Sequence, residues 1–124
     1  MNDRPLLILV AGPYRSGTED DFAKIAANMH AMNETALALF RRGHVPVTGE
    51  ALALPLIAVA GSTQVGDAPF DEIFHPLSER LVRRCEGCLR IGGPSRGADE
   101  MVRLARAAGR LVFHSLAEIP ELRR

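Results

Sequence analysis

Apolar positions along the chain fall into short unbroken runs separated by longer stretches with a helical repeat. The first run, Pro5-Leu6-Leu7-Ile8-Leu9-Val10-Ala11, ends at Gly12-Pro13 and predicts a strand buried on both faces, as in a parallel α/β sheet. Phe22, Ile25, Met29, Met32, Ala36 and Leu39 then recur every three or four residues, with Ala26 and Phe40 beside them. That spacing predicts a helix from about Glu19 to Arg42. Arg41 and Arg42 complement its C-terminal dipole, and Gly43 suits a left-handed cap. His44 to Thr48 reads as a second strand, and Pro46, which cannot donate to a ladder, assigns it to a sheet edge.

The run Ala51 to Ala60 is apolar but carries Pro55, and it predicts a short helix lining a pocket or a subunit contact. Gly61 to Pro69, rich in Gly, Ser and Thr and containing Asp67, predicts a mobile loop. Phe70, Ile73, Phe74, Leu77, Leu81 and Cys85 give a second long helical face, acidic in its first turn (Asp71, Glu72) and basic in its last (Arg80, Arg83, Arg84). Pro76 should kink or divide that helix, with His75 just before the break. Gly87 to Ile91 reads as a third strand, Ala98 to Ala108 as a helix and Arg110 to His114 as a fourth strand. This alternation predicts one domain over residues 1–124: an α/β three-layer sandwich with right-handed crossovers and a parallel, flavodoxin-like sheet of strand order 2-1-3-4.

In that order the sheet reverses direction between its first and third strands. Open α/β sheets bind ligands there, beyond the carboxyl ends of the strands. Two Gly-rich loops follow those strands, each with an arginine and a serine. The candidate ligand-binding residues are Gly12, Pro13, Tyr14, Arg15, Ser16 and Gly17 in the first, Ser95, Arg96 and Gly97 in the second, and Glu50 after the second strand. Gly12 and Gly17 let the backbone approach a ligand, and Arg15 offers a planar five-donor fork. Thr18 could cap the next helix with Asp21 three residues on, and free N–H groups at a helix start favour phosphate or carboxylate. A nucleoside-triphosphate loop is excluded, because the sole lysine, Lys24, lies a turn and a half inside the helix rather than after Gly17. Tyr14, the single tyrosine, could hydrogen-bond a sugar hydroxyl or stack on a base. Glu50 could touch a ribose or cap the helix it opens.

Composition acts mainly by exclusion. Of the 124 residues 47% are apolar and 24% charged, as in an ordinary globular domain. Fifteen basic and fifteen acidic residues cancel, leaving no long-range field for nucleic acid or an anionic membrane. The basic residues are arginine but for Lys24, which suits bidentate anion contacts. Ala51 to Ala60 is too short to span a bilayer, and Met1-Asn2-Asp3-Arg4 runs into a strand without the pattern of a secretory leader, so a cytoplasmic protein is expected. Cys85-x-x-Cys88 has no second pair for zinc, and His30, His44, His75 and His114 are dispersed. The preceding helix ends at Cys85, so no helix N-terminus activates a thiol. Both cysteines read as core, and neither metal nor cofactor is expected.

Val10-Ala11-Gly12-Pro13-Tyr14, the strand entry Gly43-His44-Val45-Pro46-Val47, and Ser95-x-Gly97-Ala98 leading into a helix that ends Ala105-x-x-x-Gly109 resemble the nucleoside 2-deoxyribosyltransferase superfamily. The nearest branch is a small domain family of unassigned function beside those enzymes. The resemblance covers nearly the whole chain. It implies a flavodoxin-like fold, a nucleoside or nucleotide ligand, and a homodimer or homotetramer with sites near subunit contacts. It also implies N-glycosidic chemistry, as a deoxyribosyltransferase or hydrolase, in which a glutamate after the second Gly-rich loop attacks the anomeric carbon and a glycosyl-enzyme passes to water or another base. The chain departs from the pattern at that glutamate, because Met101 occupies its position. Glu100 and Tyr14 are the candidate catalytic residues that remain. Glu100 lies about 90° round the helix from the buried face, where it could flank the crevice or face water. The alternative is a binding protein for a nucleotide-derived ligand. Glu86, where relatives tend to carry aspartate, reads as structural.

Overall fold

The computed structural model describes residues 4–122; Met1 to Asp3, on which the reading of a missing leader rests, lie outside the described residues. Four strands, β1 (Leu7–Ala11), β2 (Val45–Thr48), β3 (Gly87–Arg90) and β4 (Leu111–Phe113), form one sheet, all pairs parallel, in the order β2-β1-β3-β4. In β1, Leu9 stands opposite Val47 on one side and Cys88 on the other. Helices α1 (Phe22–Arg41), α2 (Gly49–Val59), α3 (Ala68–Val82) and α4 (Arg96–Ala107) flank the sheet as the outer layers of a flavodoxin-like sandwich, and a 3-10 turn at Leu116–Glu118 follows β4.

The unbroken apolar run of β1 follows from its central place. Successive side chains of a strand point to opposite faces, and both faces here are covered. Ile8 and Val10 pack with Ile25, Met32 and Leu39 of α1. Leu9 and Ala11 pack with Met101, Leu104 and Ala105 of α4 and with Val82. Each Val, Leu, Ile or Met side chain among these contributes about 1.5–3 kcal/mol on burial. β2 lies at the sheet edge, where the missing N–H of Pro46 leaves no ladder bond unmade.

Three local expectations change. Helix α1 starts at Phe22, capped by Asp21, whose side chain accepts from the Lys24 amide at 3.0 Å. Thr18 is instead buried in the preceding turn, where it bonds the Arg15 carbonyl and receives the Asp20 amide. The left-handed backbone at Glu19 and Asp20, φ 52° and 57°, breaks the helical path between them. Phe22, on the first turn, is exposed rather than core, and so is Phe40 near the other end of the helix. Helix α3 runs undivided through Pro76. The carbonyl freed by that proline belongs to exposed Glu72, within reach of water, while Phe70, Phe74 and Val82 bury the opposite face. The 61–69 stretch is not loop throughout: α3 already begins at Ala68, and Asp67 gathers bonds from the amides of Thr63, Gln64 and Phe70 and from the Ser62 hydroxyl.

Residues 119–122 are tied to the segment that follows α1. Gly43 adopts φ 97°, and a Cβ there would come within 2.9 Å of Leu122. Buried His44 accepts from the Leu6 amide at Nδ1, 3.1 Å, which leaves the ring proton on Nε2 to donate to the Pro120 carbonyl at 2.7 Å. Arg42 donates to the Ile119 carbonyl.

Candidate functional site

A cavity of about 480 Å³ opens at the carboxyl end of the sheet, and the segments after β1, β2 and β3 all reach it. From the first come Gly12, Tyr14, Arg15 and Ser16, from the second Glu50, and from the third Ser95, Arg96 and Gly97. Pro13 and Gly17 do not line it. Gly17 turns the loop with φ 74°, and Pro13 abuts Gly92, where an added Cβ would come within 2.7 Å of the proline ring. The two Gly-rich loops thus touch each other at the reversal point of the sheet.

Each loop is braced from within. Asn28 of α1 donates to the Tyr14 carbonyl at 3.0 Å. Arg15 turns its fork onto Asp20, with bonds of 2.9 and 3.0 Å, and its guanidinium lies 5.6 Å over the Phe70 ring. Hydrogen bonding to Asp20 raises the Arg15 pKa and lowers that of Asp20. The fork is therefore already occupied by a carboxylate of the same loop. In the second loop Ser95 caps α4 by accepting from the Ala98 amide at 3.1 Å. Arg90, the last residue of β3, bonds the Ile91 and Gly93 carbonyls and Asp99.

Tyr14 is 8% exposed and stacks on Phe74 with ring centroids 5.2 Å apart. Phe70 continues the stack, 4.8 Å from Phe74. Burial raises the Tyr14 pKa, the neighbouring Glu50 carboxylate raises it further, and Arg15 opposes both. The phenol is thus protonated at neutral pH.

Glu50 occupies the first turn of α2, but Thr48 caps that helix by accepting from the Ala51 amide at 3.1 Å. At the adjacent Gly49, α2 and α3 meet so closely that a Cβ would overlap the Ser78 hydroxyl. Glu50 is drawn inward with them: it is 7% exposed, and its buried Oε1 has no hydrogen-bond partner among the described residues. Burial pushes its pKa up to about 7, opposed in part by its own backbone N–H.

Glu100 lies elsewhere. Its carboxylate pairs with Arg103, which holds its pKa below the ordinary range, and it borders an adjoining depression with Glu79 and with His75 and Arg96, which also line the main cavity. Met101, on the next position of α4, lines the main cavity and is 6% exposed.

Cys85 and Cys88 are free, fully buried thiols, pushed up to about 11 and about 12 chiefly by burial. No group of three or more His, Cys, Asp or Glu side chains among the described residues is placed to hold a metal ion. No helix among them is long and apolar enough to cross a membrane. No protein-family model matches the chain, and no curated protein matches it.

Sequence reasoning missed several contributors to the cavity and its walls. Phe74 reads as core from its spacing, and it is core on one side while lining the cavity on the other. His75 and Ser78 of α3 also line it, yet nothing local in sequence ties α3 to the loops. Arg90 did carry a signal: it is the polar residue closing a buried strand at the carboxyl end of the sheet.

Proposed function

We propose that the chain acts on the N-glycosidic bond of a nucleoside or nucleotide, as a deoxyribosyltransferase or a hydrolase, in the cavity at the carboxyl end of its sheet. The observation that carries this reading is the meeting of the β1 and β3 loops around one cavity that also holds a phenol and a buried carboxylate. Its volume lies within the range of about 300–1,000 Å³ common to small-molecule sites. The motifs resembling the deoxyribosyltransferase superfamily supply the residues of that meeting, Gly12 to Tyr14 and Ser95 to Ala98. Incubating the purified protein with a panel of nucleosides, 2′-deoxynucleosides and their 5′-monophosphates, each with and without a different free base as acceptor, then separating bases and nucleosides by chromatography, tests it. Base release or base exchange from any member supports the reading, and neither from any member overturns it.

Met101 favours a second reading. A thioether neither attacks an anomeric carbon nor carries a proton, so the cavity could serve a protein that binds a nucleotide-derived ligand without cleaving it. A ligand that raises the melting temperature yet is recovered intact supports this alternative.

The reading takes no cofactor and no nucleic acid as partner, and it places the protein in the cytoplasm, where two free buried thiols stay reduced. The homodimer or homotetramer has a fitting surface in Leu52, Leu56 and Val59, an exposed apolar stripe on α2. Sedimentation of the wild type and of a Leu56→Glu variant tests that contact.

A further inference from the structure

Glu50 is the side chain of this cavity that folding alone explains least. A buried carboxylate oxygen without a partner costs stability, and a glutamine or methionine of similar size would cost less. Such a group is at odds with its surroundings unless something enters to use it. It is more than nine-tenths buried, it lines the cavity, and its Oε1 is unpartnered among the described residues. On the same wall system, Met101 leaves α4 without a carboxylate facing the cavity. Resting on the N-glycosidic reading above, we propose that Glu50 is the catalytic nucleophile, supplied from the first turn of α2 in place of the α4 residue that Met101 replaces.

In the first step a Glu50 carboxylate oxygen forms a bond to the anomeric carbon as the bond from that carbon to the base breaks. The electron pair leaves with the base nitrogen, which takes the Tyr14 hydroxyl proton. In the second, water bonds to the anomeric carbon, the ester bond to Glu50 breaks and returns its electron pair to the carboxylate, and the water proton goes to the Tyr14 phenolate. The sum is nucleoside plus water to free base plus sugar, with both side chains restored.

The titratable and charged groups that line the cavity with Glu50 are Tyr14, Arg15, Glu19 and Asp20 from the β1–α1 segment, His75 from α3 and Arg96 from α4, and of these Tyr14 interacts with the Glu50 carboxylate. Arg15 is committed to Asp20, and no ion pair with Glu50 forms among the described residues. Attack needs the ionised carboxylate, so kcat should rise about tenfold per pH unit on the acid side and level off above the Glu50 pKa of about 7.

The test measures base release by the full chain for wild type, Glu50→Gln and, as a surface control, Glu34→Gln. The expected result is a fall in kcat of about 1,000-fold or more for Glu50→Gln, with KM changed by less than about threefold and Glu34→Gln unaffected. Retention of more than about a tenth of wild-type kcat by Glu50→Gln overturns the assignment while leaving the N-glycosidic reading intact. Neither base release nor, with an acceptor base present, base exchange by wild type from any nucleoside or nucleotide overturns both. Should Glu50→Gln not fold, the wild-type pH profile decides: an acid limb ending near pH 7 supports the nucleophile, and a flat profile from pH 5 to pH 8 overturns it.

Discussion

Replacing Glu50 by glutamine should stabilise the protein, and only at high enough pH. The carboxyl has an ordinary pKa of 4.5, and in the folded chain burial brings it to about 7. Below pH 4.5 the group is protonated in both folded and unfolded chains and contributes no pH dependence. Between pH 4.5 and about 7 the unfolded chain has released a proton that the folded chain still holds, so stability falls as pH rises. Above that interval the loss is complete. The interval from 4.5 to about 7, at about 1.36 kcal/mol per pH unit, makes it about 3 kcal/mol. Glutamine keeps the shape, carries no charge and escapes the loss. Urea unfolding of both proteins at pH 4.5 and pH 8.5 reads the effect directly. At pH 4.5 the two should differ by less than about 1 kcal/mol, and at pH 8.5 Glu50→Gln should be the more stable by up to about 3 kcal/mol. A difference that does not change with pH would mean that water or a cation already satisfies Glu50, and the account of a strained carboxylate would be refuted.

Two further outcomes follow from buried groups outside the cavity. Neither Cys85 nor Cys88 should react with a thiol-specific chromogenic reagent in the native protein at pH 8, and both should react in denaturant, because burial withholds the thiols and keeps them protonated; rapid native labelling of either would contradict their place in the core. His44→Ala strips the Leu6 amide and the Pro120 carbonyl of their partner and should cost about 1–3 kcal/mol in urea unfolding, whereas an unchanged midpoint would show that the chain end contributes nothing to holding β1 and β2.

The fold was legible because its signals are local and repeated. The unbroken run of β1, the Pro46 edge and the alternation with helices were enough for a parallel sheet of order 2-1-3-4, and the structure has that order. Helix ends were read less well where the backbone, not the side chains, decides: the left-handed pair Glu19-Asp20 delays α1 by three residues, and its apolar spacing gives no hint of that. The tether at Asp67 escaped notice because Gly and Ser mark flexible loops and Asx-capped turns alike. At the site, the two Gly-rich loops announced themselves as strand ends. The environment of Glu50 did not, since it arises from α2 pressing on α3 at Gly49 and Ser78, positions 29 residues apart whose contact no periodicity encodes. Met101 and Glu100 show the same limit: their spacing on α4 was plain, but only the structure separates the residue in the cavity from the one paired with Arg103 outside it.

The most direct measurement is a crystal structure of the Glu50→Gln protein soaked with a nucleoside that the wild type cleaves. The account predicts the ligand intact between the β1 and β3 loops, with its anomeric carbon about 3–3.5 Å from the residue-50 carboxamide. A nucleoside bound outside that cavity, or bound within it with the anomeric carbon turned toward Met101 and away from residue 50, would contradict it.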